Sequence, residues 1–191
     1  MNDSRRKLWT AKLLSRQCLK DPILVEHTDF TGFILGIDPS LRGSGFGIIE
    51  VVNKHEINLI DSLTLKISAK RSFVECLGEI FLTTDNFLKK YPIKAVGIEE
   101  TIYVQNSKVA HILGSARGAC LSAVALKHVP VEEFPPLRIK KSVVGVGQAT
   151  KDQVAKMVAQ LLKLTAPLPP DESDATAAAL CYFFSLKSLL H

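Results

Sequence analysis

Short apolar runs separated by polar turns predict three consecutive β-strands near the start of the chain. The residues at 33–37, Phe-Ile-Leu-Gly-Ile, are continuously apolar, which is typical of a strand buried on both faces of a sheet. We predict a turn over 43–47, a returning strand over 48–52 and a third strand within 55–67. Because the connections between these strands are short, we expect the three to pair antiparallel.

Further along the chain the apolar pattern changes period and predicts helices that alternate with strands. We predict helices over 71–90 and 106–128 and strands over 94–99 and 129–134. Thr150 is suited to cap a further helix, and the prolines between 167 and 170 separate that helix from a final alanine-rich one. Strand-helix-strand units favour parallel pairing, so the order predicts an α/β fold with a mixed five-stranded sheet flanked by helices. This order is typical of the RNase H-like fold.

The length of 191 residues fits one domain with a short appendage. Residues 1–30 carry six basic residues and precede the first predicted core strand. We therefore predict a flexible or DNA-contacting N-terminal extension over 1–30, followed by a folded domain over 31–191. Acidic residues within the extension weigh against a transit peptide.

The composition is that of a globular protein from a reducing compartment. Apolar residues make up 47% of the chain and charged residues 23%. The four cysteines form no Cys-x-x-Cys pair, so neither a zinc site nor a disulfide framework is indicated. No apolar run reaches the roughly 18 residues that a membrane-spanning helix requires, and no secretion signal is recognisable. We therefore expect a cytoplasmic protein without membrane association.

Positive charge is concentrated in the second half of the chain. The net charge of the whole protein is +5, whereas the segment 105–163 contains nine basic and three acidic residues. A local positive field of this kind suits the phosphate backbone of a nucleic acid. Basic surfaces are common, so the charge supports nucleic-acid binding without establishing it.

Acidic residues follow two predicted central strands at the point where each strand ends. Asp38 comes directly after the first apolar run, and Glu99 and Glu100 end the strand that begins at 94. An isolated Asp-Pro pair would be explained better by an ordinary turn aspartate. A carboxylate at the interior end of a sheet, however, has a large desolvation cost unless it is paired or binds a metal. The two strand ends together therefore indicate a site.

A third acidic group stands at the start of the final helix. Asp171 and Asp174 are three residues apart and would share one helix face. By themselves they would be explained by helix capping and by compensation of the helix dipole. Together with Asp38 and Glu99 they give four carboxylates, from two strands and one helix, that can meet at one point. Such hard oxygen ligands suit Mg²⁺, with Mn²⁺ as a substitute, and would support phosphodiester hydrolysis without a protein nucleophile.

Five short motifs follow one another along residues 33–185. They are Ile-Leu-Gly-Ile-Asp-Pro at 34–39, Gly-Ile-Glu at 97–99, Leu-Gly-Ser-Ala-Arg-Gly at 113–118, Val-Val-Gly-Val-Gly-Gln-Ala-Thr-Lys at 143–151 and Asp-Glu-Ser-Asp-Ala at 171–175. Each motif is weak by itself. In this order and spacing, the sequence resembles the RuvC family of crossover (Holliday) junction endonucleases.

The resemblance implies a homodimeric enzyme that resolves four-way DNA junctions by paired symmetric nicks, uses Mg²⁺ and works with the RuvA and RuvB branch-migration proteins. The family's catalytic and metal-binding acids fall on Asp38, Glu99, Asp171 and Asp174. Its DNA-contacting lysines fall on Lys140 and Lys151, both within the basic segment. The small residues between 114 and 123 correspond to the family's dimer helix.

The sequence departs from the family pattern at three places. Ser40 and Leu41 stand where the family usually has Gly-Ser, and the extension over 1–30 has no counterpart. Ile102 stands where the family often has an aromatic residue that stacks on bases, with Tyr103 beside it. The preferred cleavage sequence, the number of bound metals and the role of the extension are therefore left open.

Other functions are compatible with parts of the same pattern. A non-catalytic junction-binding homologue would keep the fold, although four retained carboxylates argue against it. An RNase H-like nuclease could act on another nucleic-acid substrate, because phosphate charge carries no information about the sugar. An actin-like sugar kinase begins with a similar apolar strand, aspartate and glycines, but needs two such domains and about twice this length.

Overall fold

Regular secondary structure accounts for most of residues 30–100 and 106–188, the part of the chain that the computed structural model describes. The elements in chain order are β1 (Gly32–Asp38), β2 (Gly43–Asn53), β3 (Glu56–Lys66), α1 (Phe73–Lys90), β4 (Ile93–Glu99), α2 (Ser107–Leu126), β5 (Val131–Phe134), α3 (Pro136–Val144), α4 (Lys151–Leu161) and α5 (Pro170–Ser188). Ser72 and Thr150 cap α1 and α4, each through a capping box with a Glu or Gln three residues later. The predicted cap at Thr150 is therefore confirmed.

The strands form one sheet in the order β3-β2-β1-β4-β5. β2 pairs antiparallel with both β1 and β3, whereas β1, β4 and β5 run parallel. This arrangement confirms the predicted mixed five-stranded sheet flanked by helices. Parallel neighbours end at the same edge of a sheet, and Ile37 pairs with Ile98 across β1 and β4. The next residues, Asp38 and Glu99, therefore end the two strands side by side.

Side chains of the central strands alternate between two hydrophobic cores, one on each face of the sheet. Ile34 on β1 belongs to the core that α3, α4 and α5 cover. Leu35 and Ile37 belong to the other core, which α1 and α2 cover. All three side chains are fully buried. The fold is thus a three-layer sandwich with the sheet in the middle.

Helix α5 packs directly against the backbone of the central strands. A Cβ built at Gly36 on β1 would lie 1.9 Å from the Ala175 carbonyl oxygen, and one built at Gly45 on β2 would lie 2.0 Å from that of Asp171. The same close approach to α5 occurs at Gly47 and Gly97. Since any side chain here would push the helix away, these glycines allow the first turn of α5 to reach the edge of the sheet.

Three details differ from the sequence-based prediction. The predicted turn over 43–47 is wrong, because these residues begin β2 and their alternating glycines line the strand face under α5. The predicted strand over 129–134 begins only at Val131. Helix α3 was not predicted, because two prolines at its start resemble a helix breaker. Pro136 instead occupies the first helical turn, where an N–H has no helical partner to lose.

Candidate active site

Asp38 and Glu99 lie at the carboxyl ends of β1 and β4, and both are partly buried. Burial raises the pKa of Asp38 to about 7, and the negative charges of Glu99 and Asp174 add to this effect. The pKa of Glu99 is also raised, mainly by burial and then by the charge of Asp174. The edge of the sheet therefore holds more negative charge than its surroundings stabilise.

Helix α5 brings two further carboxylates to this edge. Asp171 follows directly after Pro170, the first residue of the helix, and Asp174 stands three residues further on. A Cβ built at Gly43 would lie 3.5 Å from Asp171 Oδ2, which places this carboxylate beside the start of β2. Both acids raise the pKa of Asp38 electrostatically. The fold thus brings together all four carboxylates that the sequence singled out.

Two lysines, one on α3 and one at the start of α4, face these carboxylates. Lys151 Nζ donates a hydrogen bond to Asp174 Oδ2 at 2.5 Å. The charges of Lys151 and Lys140 both act to lower the pKa of Glu99, against the larger effect of burial. Both lysines and three of the four acids line a cleft of about 230 Å³, whereas Asp171 is not among its lining residues. The lining residues are Asp38, Glu99, Pro136, Ile139, Lys140, Lys151, Val154 and Asp174.

A larger cavity of about 530 Å³ lies among the opposite ends of β4, α2 and α5. Phe30, Ile93 and Tyr182 are among its mainly apolar lining residues, which include no carboxylate. It therefore lacks the acid groups that a hydrolytic site of this kind requires. The smaller cleft at the strand ends is the better candidate, because chemistry and not volume distinguishes the two.

The acids next to the four candidates have different environments. Glu172 accepts hydrogen bonds from Ser62 Oγ at 2.5 Å and from Thr64 Oγ1 at 3.2 Å. These bonds tie the first turn of α5 to β3. Glu100 is exposed, and its backbone N–H donates to the Phe134 carbonyl oxygen at 2.9 Å. The roles of Ser62 and Thr64 were not predicted, although their spacing of two residues on a strand indicates a shared face.

The turn that follows Asp38 contains the first departure from the family pattern. Ser44 Oγ donates to the Ser40 carbonyl oxygen at 2.5 Å and accepts from the Ser40 N–H at 3.1 Å. Leu41 packs against the core on the α1 and α2 side of the sheet. Ser40 and Leu41 thus form an ordered turn that leaves Asp38 at the cleft.

The chemistry of the cleft fits a hard divalent cation. Its described lining side chains offer carboxylate oxygens and include no thiol or imidazole. Within 30–100 and 106–188, no three or more His, Cys, Asp or Glu side chains are already arranged as a metal centre. A bound ion would therefore need to draw the carboxylates closer. It would also offset the burial and the repulsion between carboxylates that together raise the pKa of Asp38.

Helix α2 divides its small and apolar residues between the core and an open face. Ala116 and Cys120 are buried in the core on the α1 and α2 side of the sheet, and Ala123 is also buried. A Cβ built at Gly114 or Gly118 would meet no atom within 4 Å. Among the described helices, α2 is the one long and apolar enough to cross a membrane. Only 22% of its most apolar 18-residue stretch is buried. Its open face is available for a protein contact.

Two predicted features lie outside the described residues. Ile102 and Tyr103, at the position of the family's base-stacking aromatic, belong to the range 101–105. Residues 1–29 make up nearly all of the predicted extension. Phe30, its last residue, contacts Tyr182 with ring centroids 6.5 Å apart. The folded part of the chain therefore includes Phe30.

Comparison with known sequences identifies relatives along most of the chain. The family described as Crossover junction endodeoxyribonuclease RuvC matches residues 34–182. A protein of that name from Hydrogenovibrio crunogenus is 42% identical over 149 residues, which cover 78% of this chain and 86% of that protein. Another from Alkaliphilus metalliredigens is 38% identical over 80% of this chain and 93% of that protein.

Solved structures show the same relationship. Thermus thermophilus RuvC in complex with a Holliday junction substrate superposes with a TM-score of 0.77 and 31% identity, over 82% of this chain and 96% of that one. The yeast mitochondrial Holliday junction resolvase Ydc2 shares the fold. It superposes with a TM-score of 0.62 and 12% identity, over 84% of this chain and 81% of that one. The family match and the sequence identities together show that this chain belongs to the RuvC family of crossover junction endodeoxyribonucleases.

Proposed function

We propose that this chain resolves four-way DNA junctions by paired symmetric nicks, through Mg²⁺-dependent hydrolysis of a phosphodiester at the carboxylate cleft. One observation carries this proposal: two strand ends and one helix start bring Asp38, Glu99, Asp171 and Asp174 to one edge of the sheet, beside Lys140 and Lys151. Helix capping would explain Asp171 and Asp174, but it would not require the two strand-end acids to lie beside them.

The four carboxylates would hold the metal. When bound, a divalent ion of this kind activates water and stabilises the oxygen that leaves the phosphate. The protein contributes by fixing the acids on rigid elements. The register between β1 and β4 places Asp38 beside Glu99. The contact of α5 with Gly36 and Gly45 determines the positions of Asp171 and Asp174. Partial burial limits the water around them and strengthens their electrostatic interactions.

Lys140 and Lys151 would bind the phosphate backbone of the DNA. Both lie within the segment 105–163, which holds nine basic and three acidic residues, and both line the carboxylate cleft. A cation at this place can attract a phosphate that the carboxylates would otherwise repel. The same two side chains would therefore place the scissile phosphate against the metal site.

A junction with two-fold symmetry is cut symmetrically most simply by two identical subunits. The open face of α2, with Gly114 and Gly118 at its surface, supports a homodimer because small residues allow close approach of a second helix. Four-way junction DNA, RuvA and RuvB are the partners that family membership suggests, and the cytoplasm is the compartment. Mn²⁺ is expected to replace Mg²⁺.

A cleavage assay tests this proposal against the alternative substrates. A mobile four-way junction, a linear duplex and an RNA–DNA hybrid of equal length would be compared, each with Mg²⁺, with Mn²⁺ and with EDTA. We expect paired nicks in the junction with either metal and no cleavage in EDTA. Preferential cleavage of the hybrid would favour an RNase H-like activity. Junction binding without cleavage under all metal conditions would favour a non-catalytic homologue.

A further inference from the structure

Lys151 occupies an unusual position for a residue expected to contact DNA. It is the first residue of α4, and its ammonium lies 2.5 Å from Asp174 Oδ2, beside the carboxylates that line the cleft. Its charge also acts on Asp38 and Glu99. In the free protein, therefore, Lys151 supplies positive charge where the proposed metal would supply it.

The two partners of this ion pair differ in their freedom to move. The Asp174 side chain is 16% exposed and belongs to the first part of α5, whereas the Lys151 side chain is 68% exposed. An exposed lysine can exchange its partner for water or a phosphate at a small cost, because the ammonium remains solvated throughout. The carboxylate is held on a helix and has less access to water. Lys151 is therefore the mobile member of the pair.

Lys140 provides a contrast within the same cleft. It lines the cleft and its charge acts on Glu99, but no hydrogen bond joins its ammonium to any of the four carboxylates among the described residues. The two lysines thus differ in what metal binding would require of them. A metal ion that uses Asp174 Oδ2 must displace Lys151, whereas Lys140 need not move.

We propose that Lys151 is a displaceable counter-ion that competes with the divalent metal for Asp174 and releases this ligand when its ammonium moves to a phosphate of bound DNA. The proposal rests on the proposed function, since it assumes that Asp174 is a metal ligand. It assigns Lys151 a second role beside phosphate contact. Binding of DNA and binding of metal are then coupled through one side chain.

The size of the effect follows from population arithmetic. If the ion pair is formed in about nine-tenths of the free molecules, the apparent dissociation constant of the metal is raised about tenfold. Thermodynamic linkage makes this coupling reciprocal. If bound DNA raises the affinity for metal by a certain factor, bound metal must raise the affinity for DNA by the same factor. Removing the ammonium should strengthen metal binding to the free protein and weaken this coupling.

Binding of Mn²⁺ to the full chain without DNA, followed by the electron paramagnetic resonance signal of free Mn²⁺, tests the competition directly. We expect Lys151→Met to lower the dissociation constant about tenfold. Lys151→Arg should stay close to wild type, because a guanidinium can also pair with Asp174. The matched control is Lys141→Met, which removes an exposed charge from α3 outside the cleft-lining set and should leave the constant unchanged.

The coupling between metal and DNA is measured as the ratio of junction affinity with Ca²⁺ to junction affinity without it. Because this ratio is taken within each variant, the loss of a phosphate contact affects both affinities and cancels. The ratio should be smaller in Lys151→Met than in wild type. Equal Mn²⁺ affinity in wild type and Lys151→Met, with weaker binding by Asp174→Asn, would overturn the competition and leave the metal site standing. If Asp174→Asn also bound Mn²⁺ as tightly as wild type, the metal would lie elsewhere. Both the competition by Lys151 and the proposed metal site would then be overturned. A melting temperature close to wild type verifies that each variant folds.

Discussion

Gly36 on β1 and Ala175 on α5 approach so closely that a Cβ built at the glycine would lie 1.9 Å from the alanine carbonyl oxygen. Gly36 lies two residues before Asp38, and Ala175 lies directly after Asp174. This backbone contact therefore sets the distance between a strand-end acid and a helix acid. The absence of a side chain at Gly36 is a structural requirement of the site.

Gly36→Ala should destabilise the fold and displace the acids on α5. Overpacking against a backbone atom costs about 1–3 kcal/mol or more, since a main-chain carbonyl cannot move aside as a side chain can. Urea unfolding measures this cost, and the folded fraction of the variant should cleave more slowly. The control is Gly78→Ala on α1, where a Cβ meets no atom within 4 Å. It should gain about 0.5–1 kcal/mol from helix propensity. Equal stability of the two variants would contradict the close contact.

Stability without metal should fall as the pH rises through neutrality. The pKa of Asp38 in the folded protein is about 7 against an ordinary value of 3.8, chiefly because of burial. A raised folded-state pKa means that the stabilising effect is present below about pH 4 and is lost as pH rises through about 7. One pKa unit corresponds to 1.36 kcal/mol, so the loss is on the order of 2–4 kcal/mol.

Thermal melting in EDTA between pH 5 and pH 8 tests this prediction. Wild type should lose several degrees over this range, whereas Asp38→Asn should lose much less because its side chain does not ionise. Addition of Mg²⁺ at pH 8 should restore the melting temperature of wild type more than that of the variant. If the melting temperatures of the two proteins in EDTA changed equally with pH, Asp38 would not titrate in this range.

Lys140→Ala should weaken junction binding and make it less dependent on salt. Each phosphate contact that is lost reduces the slope of log affinity against log salt concentration by about 0.9. Binding titrations at four or more salt concentrations give this slope. Lys89→Ala serves as control, because Lys89 lies on α1 and pairs with Asp85 at 2.5 Å on the other face of the sheet. A slope that is the same for both variants would place Lys140 away from DNA.

Deletion of residues 1–29 should leave the fold and the cleavage chemistry intact. The first strand begins at Gly32, and Phe30 is retained in this truncation together with its contact to Tyr182. We expect a melting temperature within a few degrees of the full chain and an unchanged rate of single-turnover cleavage. An insoluble product, or a much lower melting temperature, would show that the deleted residues stabilise the domain.

The sequence predicted the fold class and the candidate acids because both depend on local pattern and strand order. Asp38 and Glu99 each follow an apolar run, and parallel pairing of such strands brings their ends together. The ion pair of Lys151 with Asp174 was not predictable, because it joins residues 23 positions apart on different helices. Gly43, Gly45 and Gly47 were mistaken for a turn, since glycine is common both in turns and where a helix backbone crosses a strand.

Single-turnover nicking of a four-way junction by Asp174→Asn decides whether the four acids form a metal site. If Asp174 only stabilises a helix start, Asn would keep its hydrogen-bonding capacity and cost no more than about 1 kcal/mol. Asp152→Asn is the matched control, because Asp152 is an exposed acid in the first turn of α4.

Junction affinity of each variant is measured in Ca²⁺ by gel shift, and thermal melting verifies that it is folded. We expect Asp174→Asn to slow nicking by orders of magnitude while junction affinity is equal or greater, and Asp152→Asn to cleave normally. Near wild-type nicking by folded Asp174→Asn would contradict the proposed site and would return this acid to a capping role.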